Sequence, residues 1–242
     1  MMKRSGVLLL TVLVLAASAV FTGAGADFDL RDFYPPGTVS VGDYVYFGNF
    51  DQDNVSGKEP IQWLVLAVSG NKALLISRYG LECKPFHTNS AGQTWETCSL
   101  RTWLNGTFYK TAFSKEERDA IENTYIDESS SQCSPAYPPA RLGNDTNDHV
   151  FILSYAEAVK YLNGSSNLMC IPTDHALANG GNKSSEGYLN GMRTCWYWLR
   201  SPAYKNNALA VDWNGTFSTG YISLEYGVVR PCIWVDVNKA AF

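Results

Sequence analysis

The stretch Thr194-Cys195-Trp196-Tyr197-Trp198-Leu199-Arg200-Ser201-Pro202 decides the fold. Its run from Cys195 to Arg200 reads as a strand, and period-two alternation sets Trp196 and Trp198 on one face and Tyr197 on the other. Core packing is the expected role of the two tryptophans. Downstream, Ala208 to Trp213, Thr216 to Leu224 and Val228 to Val237 read as further strands. Asn214-Gly215 is a hairpin signal, because a type I′ turn needs two positive φ angles. A two-residue turn there would set Val211 opposite Ser218 and on the same side as Trp213. Those faces do not sort into apolar and polar, so a bulge or a longer loop is expected.

Upstream, Asp43 to Gly48 suggests a strand and Asn49 to Pro60 a polar loop. Ile61 to Val68 and Lys72 to Ser77 read as two strands joined by a tight turn at Ser69-Gly70-Asn71. Between these ends the period lengthens to that of a helix. Thr94 to Phe108 carries Leu100, Trp103, Leu104 and Phe108 at helical spacing, with Thr97 as the candidate cap. Ser114-Lys115-Glu116-Glu117 has the reciprocal capping pattern that opens a helix. Glu128 to Asp148, rich in Ser, Pro and Asn, is expected to be an exposed loop. A strand at His149 to Ser154 and a helix from Tyr155 to Leu162 follow it. Thr173 to Asn179 adds a helical turn, and Gly180 to Gly191 another loop. Strands at both ends with helices between them define an α+β domain. One core is expected from Trp63, Leu64, Leu66, Trp103, Phe151, Leu153, Trp198 and Trp234, which brings the N- and C-terminal strands close together.

Composition agrees with a packed domain: 45% of the 242 residues are hydrophobic, 13% aromatic and 17% charged. That excludes a disordered, collagenous or coiled-coil chain. Met1 to Ala26 has the layout of a secretory signal, with Lys3 and Arg4 before an apolar run from Val7 to Val20 and Ala24-Gly25-Ala26 as the cleavage site. The mature chain is then expected to begin at Asp27, with an extended lead-in over 27–40 and a single domain over 41–242. The net charge of −4 becomes more negative without Lys3 and Arg4, which argues against a nucleic-acid partner. No second apolar run approaches the roughly 20 residues of a membrane span.

Chemistry-bearing motifs are sparse. There is no Gly-x-Ser-x-Gly elbow, His-Glu-x-x-His or phosphate loop, and the mature chain has no dinucleotide fingerprint. Cys83, Cys98, Cys133, Cys170, Cys195 and Cys232 lack Cys-x-x-Cys spacing, and with three histidines a zinc site is poorly supported. Outside the cell such cysteines form disulfides, and buried thiols are the alternative. Six cysteines leave the connectivity open among 15 pairings. Calcium is a candidate cofactor at Asp51 and Asp53 and at Asp145 and Asp148, although Asn- and Asp-rich turns make the same pattern for local reasons. Arg200 and Arg230, each near a proline, are expected to hold carbonyls or carboxylates; binding of an external anion is the less expected role.

Five ordered motifs carry a family resemblance: Ile61 to Leu66, Thr94 to Asn105, Val150 to Ser154, Trp198 to Pro202 and Gly227 to Pro231. Together they resemble the bacterial family called domain of unknown function 6273, found in secreted and surface proteins. The Trp198-Leu199-Arg200-Ser201-Pro202 and Gly227-Val228-Val229-Arg230-Pro231 pair also resembles the ending of C-type-lectin-like domains of the formylglycine-generating-enzyme type. That fold, with short helices packed on a mixed or antiparallel sheet, also serves the variable proteins of diversity-generating retroelements. The enzyme branch uses a late copper-binding cysteine pair with which Cys195 and Cys232 do not align. Cys83, Cys98, Cys170 and Cys195 fit the pattern of the unknown-function family, whereas Cys133 and Cys232 depart from it. The pairings expected on this basis are Cys83–Cys98, Cys170–Cys195 and Cys133–Cys232.

The leading expectation is a secreted or cell-surface module that binds a protein or glycan surface. Tyr204, Asn206, Asn207, Trp213, Asn214, Tyr221, Glu225 and Tyr226 are its candidate contacts, because Tyr, Trp and Asn combine rigid contact area with adaptable hydrogen bonding. Trp213 and Tyr221 are expected to be exposed, and the segments around them to project from one end of the scaffold. An oxidoreductase of the formylglycine-generating type and a structural surface protein are the alternatives.

Overall fold

The computed structural model describes residues 38–55, 57–89 and 94–242. The expected leader and all of the lead-in before residue 38 lie outside them. Two sheets organise the chain. The first has the strand order Tyr44–Phe50, Glu59–Ser69, Lys72–Ser77, Cys232–Asp236, antiparallel throughout. The second runs Phe217–Tyr221, Asn207–Val211, Tyr197–Pro202, Val228–Val229, Glu82–Cys83, with one parallel pairing between Tyr197 and Val228. With the short helices between them this is an α+β fold, and its N- and C-terminal strands share a sheet.

Local chemistry explains the first sheet. Gly70 and Asn71 form the two-residue turn between its second and third strands, with Gly70 at φ 60°, the sign a type II′ turn requires at its first central position. In the first strand Val45, Phe47 and Phe50 turn inward, and the register slips between Tyr46 and Asn49. Gly48 sits in that slip at φ 71°, and a Cβ there would stand 2.5 Å from the Phe113 ring. Its N–H donates to the Glu117 carboxylate (2.9 Å), which also completes the expected capping box with Ser114. One acid thus caps the helix Lys115–Ala120 and ties it to the bulged strand.

The C-terminal segment departs from the expected single strand. Val228–Val229 pairs in the second sheet, and after Arg230-Pro231 the strand Cys232–Asp236 pairs with Lys72–Ser77 in the first. Proline cannot donate to a ladder, so the chain changes sheets there. Other expectations shift too. Cys98, not Thr97, caps the helix Ser99–Trp103, its sulfur accepting the Arg101 N–H, and the helix continues through a π turn at Leu104–Phe108 to Ala112. Val150 to Ser154 is buried but bonds as a single bridge, Phe151 to Cys232. In the core, Trp63, Leu66, Phe151, Leu153 and Trp198 are buried as expected, while Leu64, Trp103 and Trp234 pack on it half-covered.

The region 128–148 is anchored rather than wholly exposed, because Glu128 is buried against Arg200. Arg200, 1% exposed, donates to Glu128 (2.8 Å), to the Ile152 carbonyl (3.0 Å) and to Glu157. One guanidinium cannot neutralise two carboxylates. Glu157 reaches water, and burial pushes the Glu128 carboxyl up to about 7, with Arg200 offsetting only part of the rise. A raised folded-state value adds stability that is complete below the ordinary glutamate range and lost as pH rises through about 7. The urea midpoint should therefore fall between pH 5 and pH 8, and Glu128→Gln should flatten that slope. A wild-type midpoint that rises over this interval contradicts the assignment.

All six cysteines are thiols, so the expected disulfides are not formed. Cys83 donates to the Glu225 carbonyl (3.2 Å), Cys98 is occupied as a helix cap, and Cys133 lies near the Ser129 carbonyl (4.0 Å). Cys170 and Cys195 do face one another across an antiparallel bridge, but the Cys195 thiol points to the Cys170 carbonyl (3.5 Å).

Candidate functional site

The hairpin of Asn207–Val211 and Phe217–Tyr221 forms the outer edge of the second sheet, so its register decides what reaches solvent. Ala210 pairs with Ser218 and Val211 with Phe217, which leaves a loop longer than two residues, as the facing argument requires. Asp212 accepts from Gly215 N–H (2.9 Å), Asp212 N–H donates to the Thr216 carbonyl (2.7 Å), and Gly215 takes φ 79°. This is the longer turn with a left-handed glycine that closes a twisted hairpin.

That register also separates the candidate contacts. Tyr204, Asn206, Asn207 and Tyr221 lie at one end of the hairpin, where Asn207 pairs with Tyr221, whereas Trp213 and Asn214 lie in the turn at the other. A five-residue strand intervenes, roughly 17 Å at about 3.4 Å per residue. The expectation that these segments project from one end is thus corrected. Tyr221 is 62% exposed, as expected, but Trp213 is only half exposed, its ring lying where a Gly187 side chain would be (2.6 Å). The Asn214 side chain is spent on its own turn, accepting from the Thr216 N–H and hydroxyl, and Asn207 donates to Thr219 (3.3 Å). Glu225 and Tyr226 are exposed beyond the edge strand.

Between the two ends lies a groove of about 230 Å³, lined by Trp196, Asp212, Ser218, Thr219, Leu224 and Tyr226 over a floor of Ala210 and Gly220. Its origin is the alternation of the central strand. Trp196 and Trp198 share a face and meet edge to face at 4.7 Å between ring centroids; Trp198 is fully buried and Trp196 half-buried. Ala210 and Gly220 are too small to fill the space beside Trp196, and Tyr226 closes the other side with its ring 5.8 Å away, also edge-on. Asp212, Ser218 and Thr219 place oxygens along the rim, and the Ser218 hydroxyl has no partner among the described residues. Of the candidate contacts only Tyr226 lines this groove. Trp196, Ser218, Thr219 and Leu224 were not among the candidates, because alternation sets Trp196 on the face of Trp198 and gives no sign that it borders solvent.

The calcium candidates separate into two cases. Asp148 is buried and satisfied internally, accepting from Arg101 (2.7 Å), Trp95 (2.8 Å) and Thr146 (2.8 Å), and Asp145 accepts from Glu128 N–H (2.8 Å). That pair is structural. Asp51 and Asp53 meet Glu59 with one oxygen each within 4.8 Å of one another, the one gathering among the described residues that could share a cation. Their oxygens also accept loop N–H groups of Asn54, Val55 and Gln52.

An α+β domain with an aromatic groove across its C-terminal sheet is the class these observations define. The chain belongs to the family described as a domain of unknown function (DUF6273), whose model matches residues 70–237. The match begins at the Gly70-Asn71 turn, so it takes in the whole second sheet and the groove. No curated protein and no solved structure matches the chain.

Proposed function

We propose that the domain is a binding module whose C-terminal groove takes a sugar unit of a surface glycan. The observation that carries this is Trp196 and Tyr226, packed edge to face at 5.8 Å and bordering a small-residue floor, with Asp212, Ser218 and Thr219 on the rim. A sugar presents apolar C–H faces to an aromatic ring and hydroxyls to flanking oxygens, and a half-buried Trp beside an exposed Tyr suits such a mixed surface. Cys83 and Cys98 are poor nucleophiles, because burial pushes both up to about 12, leaving neither a thiolate at neutral pH. No described helix is long and apolar enough to cross a membrane. Export through the Met1 to Ala26 leader, and with it the C-type-lectin-like kinship, belongs to the same reading; the exported chain should begin at Asp27 by mass.

The test is a glycan array followed by titration of the best ligand. Trp196→Ala and Tyr226→Ala should each weaken binding at least tenfold. Tyr226, already exposed, should do so with a melting temperature near that of the parent. Binding that survives both changes, or that is confined to protein ligands, defeats the glycan reading.

A further inference from the structure

Where the chain changes sheets, a second cavity of about 310 Å³ opens, and it shares no residue with the groove. Two arginines line it, Arg78 and Arg230, together with Asn167 and Asn190; no acidic residue does. Arg230 is 4% exposed. Its Nε donates to the Ser77 carbonyl (2.9 Å), its charge lies 5.5 Å from the Tyr197 ring centroid, and the Tyr197 hydroxyl and Cys170 sulfur are its polar neighbours, while its Nη1 is buried without a hydrogen bond of good geometry. Arg78 is half-buried, held by Gln62 (2.7 Å) and by the Tyr44 ring (4.8 Å). Neither arginine has a carboxylate within ion-pair distance among the described residues.

The other buried arginine, Arg200, shows the contrast. It has the same burial but two carboxylates on its fork. A buried cation is ordinarily paired with a carboxylate, and one that lacks it beside a second cation marks a place for an external anion. The remaining wall selects among anions. Leu64, Met169 and Ile171 make part of it apolar, which suits a ligand with a hydrocarbon body and a single delocalised charge. The planar fork of arginine matches a carboxylate in two-point contact.

From the buried, carboxylate-free Arg230 and the neighbouring Arg78, we propose that this cavity binds an organic carboxylate, with the charge between the two guanidiniums and the hydrocarbon part against Leu64, Met169 and Ile171. The probes are hexanoate, its uncharged amide hexanamide, and inorganic phosphate, titrated into the isotope-labelled protein and followed by NMR. Hexanoate should shift the Asn167 and Asn190 amides saturably, and hexanamide should not. Arg78→Gln should lower hexanoate affinity at least tenfold with an unchanged melting temperature, since Arg78 is only half-buried. Arg230→Lys should also weaken it; if that variant does not fold, Arg78→Gln alone decides. Trp196→Ala should leave hexanoate binding intact, which separates this site from the groove. Equal binding of hexanoate and hexanamide, tighter binding of phosphate, saturation unaffected by Arg78→Gln, or no shift at millimolar hexanoate would each overturn the proposal.

Discussion

Arg200→Met should lower stability by about 3–5 kcal/mol at pH 7.5, the range expected when one partner of a buried ion pair is removed. The side chain is 1% exposed and joins three separate segments: Glu128, the Ile152 carbonyl and Glu157. Methionine fills much of the volume but leaves the Glu128 carboxyl buried at 3% exposure with no cation. The folded variant must therefore take up a proton at Glu128, so its deficit should shrink as pH falls toward 5. Glu128→Gln combined with Arg200→Met should recover part of the loss, because the uncompensated charge is gone. Urea unfolding of the two single variants and the double, at pH 5 and 7.5, checks this. A deficit independent of pH would show that Arg200 acts through packing and its carbonyl bond alone.

That network also marks the limit of what the sequence reveals. Arg200 was legible as a residue that holds carbonyls or carboxylates, since an arginine in an aromatic strand beside Ser201-Pro202 has few other roles. Its partners were not, because Glu128 is 72 residues away in a stretch that reads as polar loop. Features set by nearest neighbours in sequence were readable: the Gly70-Asn71 turn, the Ser114–Glu117 capping box, and the alternation that separates Trp196 and Trp198 from Tyr197. Features set by pairing were not. Val228 to Val237 is apolar on both sides of Arg230-Pro231, so hydrophobicity gives no sign that Pro231 divides it between two sheets. The groove depends on Ala210 and Gly220 being small at positions beside Trp196, and that matters only once the hairpin register is known. The cysteines carry the same lesson. The family resemblance paired Cys170 with Cys195, and the fold sets them across one bridge, but as thiols.

Trp198 gives the second large effect, and its neighbours show why the C-terminal motif contains a glycine. The indole is fully buried, and its N–H donates to the Lys84 carbonyl (2.9 Å). Gly227 accepts from Lys84 N–H through its own carbonyl (2.9 Å), so Lys84 ties both to one point of the chain. A Cβ on Gly227 would lie 2.0 Å from the indole nitrogen, and one on Gly220 2.9 Å from the far edge of the ring. The ring is clamped between two glycines, and no small rotation relieves both contacts. Trp198→Ala should cost roughly 3–5 kcal/mol as a buried aromatic truncation. Gly227→Ala should cost about 1–3 kcal/mol by overpacking, with about 1 kcal/mol more if the displaced indole loses its bond to Lys84. These losses share a cause, so they should not add. In the double variant the methyl introduced by Gly227→Ala meets a cavity instead of a ring, and its stability should equal or exceed that of Trp198→Ala alone. Chemical denaturation of the three proteins measures the coupling. Strict additivity would mean that Gly227 is required by its backbone, and that the indole is not what excludes a side chain there.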